Sequence, residues 1–195
     1  MFNTREDRRK AIEALNSYSD LNEYLLRRTS DKFKKLRKLI VADCDGILST
    51  NESMYTKDGK VMKSYGCYDK EMIRLLEQAG WSFVFVSADK AGFEITKARC
   101  IDIKEVLLFA NAEERKNYID KVRSEYDFIV FVGDSLSDIP SLAAADYSGT
   151  VATAPEEVQM FCDYVSSLKG GYGGFADIIW RLHNLIQKEY RYKQE

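Results

Sequence analysis

A single histidine in 195 residues removes a good deal of enzymology at the outset. It is His183, in an amphipathic stretch near the C-terminus. A serine triad or an imidazole metal site needs specific partners around its histidine, and a lone helical histidine reads as structural or solvated. The four cysteines, Cys44, Cys67, Cys100 and Cys162, lie far apart with no Cys-x-x-Cys spacing, which argues against a zinc site and a disulfide framework. Only two prolines, with 12% aromatic residues, argue against disorder. No apolar run approaches the roughly 20 residues that cross a bilayer. Met1 to Asp7 lacks the apolar core of a signal peptide, so a cytoplasmic protein without membrane contact is expected. The remaining composition, 45% hydrophobic and 31% charged with a formal net charge of -2, suits one domain with a real core and room for an appendage. Any chemistry must run on carboxylates, hydroxyls and lysines.

Charge is unevenly spread. Residues 1–37 carry ten Lys/Arg against six Asp/Glu, whereas the rest of the chain is net acidic. Asp20 followed by Glu23 has the form of a helix-entry capping box, and Leu21, Tyr24 and Leu25 then repeat at helical spacing. Phe33 and Leu36 continue an apolar stripe. We read 1–37 as an N-terminal helical arm and 38–195 as the main domain. A mixed-sign amphipathic helix is more often a solvated face than a nucleic-acid contact, and no recognised binding module accompanies it.

From Lys38 the period changes. Leu39-Ile40-Val41-Ala42, Trp81 to Val86, Val106 to Phe109 and Phe128 to Val132 are short continuous apolar runs, the mark of strands buried on both faces. Helical patterns lie between them: Met72, Leu75, Leu76 and Ala79, stopping at Gly80, then Tyr118, Ile119 and Val122. The alternation predicts an α/β fold, a Rossmann-like parallel sheet covered by helices. Val151-Ala152 and Tyr164-Val165 are candidates for further short strands. Residues 47–68 break the pattern and read as an inserted β-hairpin around an Asp58-Gly59 turn.

In open α/β sheets, ligands bind beyond the carboxyl ends of the strands. Asp43-Cys44-Asp45-Gly46 follows the first strand, Ser87 ends the second, and Gly133-Asp134-Ser135-Leu136-Ser137-Asp138 follows the fourth. Four carboxylates and a hydroxyl converge on one rim. Burying them unneutralised is costly, and oxygen donors without imidazole or thiolate point to Mg²⁺. One of Asp43 and Asp45 can attack an electrophile while the other handles a leaving-group proton. Mg²⁺ lets an anionic carboxylate approach an anionic phosphoryl group. Ser87 can hydrogen-bond a phosphate oxygen, and Lys116, opening the helix after the third strand, can supply positive charge.

These residues resemble, in order, the four motifs of the haloacid dehalogenase superfamily of phosphatases: Asp43 to Gly46, Ser87, a helical lysine best matched by Lys116 with Lys121 as alternative, and Gly133 to Asp138. The resemblance implies Asp43 as nucleophile through an aspartyl-phosphate and Asp45 as acid/base. It also implies phosphate contacts from Ser87, Ala88 and the lysine, and Mg²⁺ held by Asp43, the Asp45 carbonyl and Asp134, with Gly46 and Asp138 in support. Within the superfamily the chain is similar to the capless branch typified by 3-deoxy-manno-octulosonate 8-phosphate phosphatase. The hairpin, Asp69 opening the next helix, Arg99-Cys100, and Gly170-Gly171-Tyr172-Gly173 before the last helix carry that likeness. The branch implies a homo-tetramer whose hairpins shape each entrance, and a small phosphorylated metabolite as substrate.

Two positions depart from the branch. Ala88-Asp89-Lys90 stands where Gly-Arg usually follows the second motif, and Tyr172 stands where the late glycine loop usually carries Arg. Neither Tyr nor Lys reproduces an arginine's bidentate grip on a carboxylate. Substrate contacts are therefore expected from Asp69, Lys90 and Tyr172, with a sugar or nucleotide phosphate favoured over the family's sugar-acid phosphate. Two other classes compete. Gly133-Asp134-Ser135-Leu136 also spells the block of GDSL serine esterases, but here it comes late and His183 lacks an Asp three residues before it. A catalytically idle binding domain with this fold is the second, since fold alone never establishes function.

Overall fold

The computed structural model describes Asn22, Glu23, Leu26 and residues 29–193. In chain order these begin with α1 (Asp31–Lys34), β1 (Lys38–Asp43), β2 (Ser49–Thr56), β3 (Gly59–Tyr65), α2 (Tyr68–Gln78) and β4 (Trp81–Ser87). There follow α3 (Phe93–Ile103), β5 (Val106–Phe109), α4 (Ala112–Val122), β6 (Phe128–Val132) and α5 (Ile139–Ala144). The last are β7 (Tyr147–Thr150), α6 (Glu156–Gln159), β8 (Tyr164–Val165) and α7 (Gly174–Tyr192).

β1 is the centre of the molecule because all six of its residues are buried. Strand side chains alternate between faces. Leu39 and Val41 therefore join Ile119, Val122 and Phe131 in one core, while Ile40 and Ala42 join Ile73, Leu76, Phe175 and Ile178 in the other. A strand with apolar residues on both faces belongs inside a parallel sheet sandwiched by helices. The sheet is indeed parallel, in the order β5-β4-β1-β6-β7-β8. Its register aligns Asp43 with Val86 and Ser87 with Phe109, so the strand ends that carry the acidic and hydroxyl residues share one rim.

β2 and β3 form a separate antiparallel pair that projects from the end of β1. The hairpin is closed by Lys57-Asp58, one residue earlier than the expected Asp-Gly turn, because Thr56 pairs directly with Gly59. Val151-Ala152 is not a strand. β7 ends at Thr150, and the next backbone bonds, Ser166 N–H to the Thr150 carbonyl at 2.9 Å and Ala152 N–H to the Leu168 carbonyl at 3.1 Å, belong to the chain turning away. Tyr164-Val165 does pair with β7. No helix among the described residues is long and apolar enough to cross a membrane.

Most of the expected arm, including Asp20, Leu21, Tyr24 and Leu25, lies outside the described residues. Its last part is tied to the domain: Phe33 is fully buried, and the buried Lys38 ammonium donates to the carbonyls of Phe33 and Leu36 beneath it. His183 belongs to this layer. Its Nδ1 accepts from the Trp81 indole at 3.1 Å, its Nε2 lies 3.4 Å from the Thr29 hydroxyl, and the ring stacks on Trp180. Burial, aided by the Lys38 charge, pushes its pKa down to about 4 from an ordinary 6.5. Between those values the unfolded chain takes up a proton that the folded chain refuses, so stability falls as pH drops through this window. The loss reaches about 3 kcal/mol by its lower end. His183→Gln keeps an acceptor for Trp81 but cannot titrate. Urea midpoints measured from pH 7 to pH 4 are expected to show a flatter acid limb for this variant than for the wild type; parallel limbs would contradict the assignment.

Candidate active site

The backbone turns sharply as it leaves β1. Gly46 has φ +86°, a left-handed conformation, and a Cβ there would run into the Asp134 carboxylate, so glycine is required twice over. Gly170 packs against the Gly46 carbonyl in the same close way, and the Gly171 N–H donates to the Ile47 carbonyl at 3.1 Å. The late glycine loop thus sits directly on the Asp43–Gly46 turn.

Asp43, Asp134 and Asp138 are buried, and one carboxylate oxygen from each lies within 4.8 Å of the others. Burial and the nearby Asp138 carboxylate push Asp43 well above the usual carboxylate range, against the opposing pull of Arg115. The same two causes raise Asp134 to about 7. Among the described residues, Arg115, on α4, is the cation that reaches this cluster. Its Nη2 lies 3.2 Å from Asp43 Oδ1, its Nη1 donates to Asp138, and its Nε donates to the Ala110 carbonyl at 3.0 Å. Asp43 Oδ1 nevertheless has no aligned hydrogen bond. Three buried carboxylates against one guanidinium leave a deficit of positive charge, and an all-oxygen donor set of this kind fits a hard divalent cation.

Asp45 is held differently. The Lys63 ammonium approaches both its oxygens, at 2.7 and 2.9 Å, and the Ser87 and Ser49 hydroxyls lie 3.4 and 3.5 Å away. Ser87 is buried and accepts from the Asp89 N–H at 3.2 Å, while Ala88 is exposed beside it. Asp89 pairs with both Lys60 and Lys63, at 2.5 and 2.7 Å, which holds it at a pKa of about 2 although partial burial opposes this.

Other expected site residues lie elsewhere. Lys116 is half-exposed and pairs with Asp120 on the outer face of α4, and Lys121 is exposed. The structure does not bring either lysine to the rim; Arg115, one residue earlier, is the residue that reaches it. Asp69 is buried at the start of α2, against Ala176 of α7, and burial raises it to about 7. Arg99 donates to the Gly66 carbonyl at 2.7 Å and to Asp102, bracing the chain between hairpin and α2. Lys90 is exposed. Tyr172 is exposed and walls a polar cavity of about 450 Å³ with Thr50, Glu52, Thr153, Lys169 and Gly170, beside the Gly46 turn. Tyr172 and Tyr68 also line an apolar cavity of about 530 Å³ between α2 and α7. Ser135 donates to Asp138 at 2.8 Å, while both ring nitrogens of His183 are engaged with Trp81 and Thr29, leaving Ser135 without a histidine base.

A parallel α/β sheet whose central strand ends in Asp-x-Asp, opposite a second acidic loop, is the arrangement that the resemblance to haloacid dehalogenase phosphatases implies. No family model matches the chain. It is 27% identical over 145 residues to the 3-deoxy-D-manno-octulosonate 8-phosphate phosphatase KdsC of Haemophilus influenzae, covering 72% of this chain and 79% of that protein. The KdsC of Salmonella typhi is 23% identical over the same length, covering 72% and 76%. Among solved structures, the cobalt-bound deoxy-D-mannose-octulosonate 8-phosphate phosphatase of Haemophilus influenzae superposes with a TM-score of 0.66 at 25% identity, covering 77% of this chain and 91% of that one. The Moraxella catarrhalis enzyme, solved with magnesium, phosphate and KDO, gives a TM-score of 0.63 at 19% identity, covering 80% and 88%, a likeness of fold. In sequence and fold the chain is similar to the KdsC phosphatases of the haloacid dehalogenase superfamily, a likeness that supports a phosphoric monoester hydrolase.

Proposed function

We propose that this chain is a Mg²⁺-dependent phosphomonoesterase that hydrolyses a small phosphorylated metabolite, a sugar, sugar-acid or nucleotide phosphate, through an aspartyl-phosphate on Asp43. The observation that carries the metal half of the reading is the buried trio Asp43, Asp134 and Asp138, which is one cation short of balance. Asp43, Asp134 and the Asp45 carbonyl would hold Mg²⁺, with Asp138 in support; when bound, the ion neutralises charge between carboxylate and phosphoryl oxygens. Asp43 attacks phosphorus, and Asp45 gives a proton to the departing oxygen and later takes one from the attacking water. The Ser87 hydroxyl and the Ala88 N–H hold phosphoryl oxygens. Arg115 fixes the carboxylates of Asp43 and Asp138 relative to each other. Treatment with a chelator is expected to abolish turnover and Mg²⁺ to restore it; full activity in metal-free protein would overturn the reading.

For the leaving group we favour a sugar or nucleotide without an obligatory carboxylate. Where an arginine would offer positive charge, Asp89 offers a carboxylate, and the two nearby lysines are spent on it and on Asp45. The names of the relatives favour a sugar-acid phosphate instead. Comparing kcat/KM for matched carboxylated and neutral phosphate esters separates the two. A preference above about a hundredfold, or ~3 kcal/mol, for the carboxylated ester would refute our choice. Assembly as a homo-tetramer in the cytoplasm belongs to the same proposal. The exposed Met54, Tyr55, Val61 and Met62 on the hairpin support the first, and the free cysteines the second.

A further inference from the structure

The strongest partner of Asp45 comes from the hairpin. Lys63 is the one buried residue of β3, and its side chain has 0% exposure. Its ammonium meets four oxygens: both of Asp45, Asp89 Oδ2 at 2.7 Å, and the Thr96 hydroxyl of α3 at 2.8 Å. The Tyr65 hydroxyl donates to the same Thr96 oxygen at 3.1 Å. Lys60 already latches the hairpin to Asp89, at the edge of solvent. A second lysine is not needed for that. Burying an ammonium fully is costly unless its partners compensate, and the contact Lys63 adds beyond the latch is with the acid/base carboxylate. The alternatives at Asp45, Ser87 and Ser49, stand off at 3.4 and 3.5 Å.

We propose that Lys63 is a positioning residue for proton transfer. It aims the Asp45 carboxyl at the leaving-group oxygen, and it makes that aim conditional on the hairpin being seated against Asp89 and Thr96. The inference rests on the phosphatase reading. In the first half-reaction an Asp43 oxygen bonds to phosphorus, the bond from phosphorus to the leaving oxygen breaks, and the Asp45 proton passes to that oxygen. In the second, the water oxygen bonds to phosphorus as the Asp43–phosphorus bond breaks, and the water proton returns to Asp45. A misaimed Asp45 slows the first half in proportion to how much the leaving oxygen needs a proton.

Two esters of similar shape expose this. Phenyl phosphate releases a basic phenolate that needs protonation, whereas p-nitrophenyl phosphate releases a stable anion. The test uses the full chain with Mg²⁺ and enzyme in excess, so that the first turnover reports the first half-reaction alone. Lys63→Met is expected to slow phenol release by about a hundredfold or more, the scale of a lost general acid, and p-nitrophenol release by less than about tenfold. Lys63→Arg, which keeps a cation against Asp45 and Asp89, is expected to show the same split at smaller size. Retained p-nitrophenol release also shows that the variants fold. Equal losses on both esters in both variants would overturn the role of Lys63. A wild type inert to both esters, or an Asp43→Asn variant as fast as wild type, would instead overturn the phosphatase reading.

Discussion

Asp43→Asn is expected to abolish turnover while making the fold more stable. An amide is no nucleophile, and loss of a covalent catalyst costs about 10⁴-fold or more where the residue acts within a catalytic unit. The carboxylate it replaces is buried beside Asp138 and Asp134, and those neighbours together with burial hold its pKa well above the ordinary range. A carboxyl whose pKa is raised by folding costs stability at pH values above its ordinary range, and an uncharged amide there relieves the cluster even after the contact with Arg115 is lost. Metal-free Asp43→Asn should melt above metal-free wild type. The paired result is diagnostic because an inactive but stabilised protein cannot be dismissed as unfolded. Ser135→Ala should keep most of its activity, since Ser135 contributes only hydrogen bonds to Asp138. The reverse pattern, with Ser135 essential and Asp43 dispensable, would restore the serine esterase reading.

Arg115→Met is expected to be the most destabilising single change in the site, and Lys116→Ala next to it nearly silent. Arg115 is the cation between Asp43 and Asp138, and breaking such a buried pair from one side costs about 3–5 kcal/mol because the carboxylates stay behind. Activity should fall by about a hundredfold or more in the fraction that remains folded, as Asp43 loses its orientation. Lys116 makes an exposed i,i+4 pair with Asp120, worth no more than about 0.5 kcal/mol. Arg115→Lys should fall between, because one ammonium cannot span Asp43, Asp138 and the Ala110 carbonyl as a planar fork does. Thermal melts and kcat for the three variants check the order; a Lys116→Ala variant as impaired as Arg115→Met would contradict the placement.

Arg115 and Lys116 mark how much of the site is legible in the sequence. The four short continuous apolar runs read as buried strands, and their order with the intervening helical periods implied the parallel sheet and its active rim. The motif residues after β1, β4 and β6 followed from that. The phase of α4 is also readable, and it favours Arg115 over the motif-matched Lys116. Asn111 and Glu114 form a reciprocal cap, with Glu114 N–H donating to Asn111 at 3.1 Å, which fixes where the helix begins. Ile119 and Val122 face the sheet, and Arg115 lies four and seven residues before them on the same face. Lys116 is a hundred degrees away from it, on geometry alone.

Lys63 and Asp89 were not legible in this way. Which face of β3 turns inward depends on the irregularity after the turn, where Tyr55 pairs with Lys60 but Met54 pairs with Met62, so that Val61 is an extra residue and the register moves by one. Their meeting depends on the hairpin folding back over α3 and the loop after β4, a contact between segments 26 residues apart that no local pattern specifies.

The central claim is that Asp43 becomes phosphorylated during turnover. Wild-type protein mixed with p-nitrophenyl phosphate and Mg²⁺, quenched in acid within the first turnover and digested, tests it by mass spectrometry of the peptide that carries Asp43 and Asp45. The account predicts the added mass of one phosphoryl group on Asp43, absent in Asp43→Asn and absent when the metal is withheld. A phosphoryl group on Ser135 or Asp45, or none on any residue while p-nitrophenol is released at full rate, would contradict it.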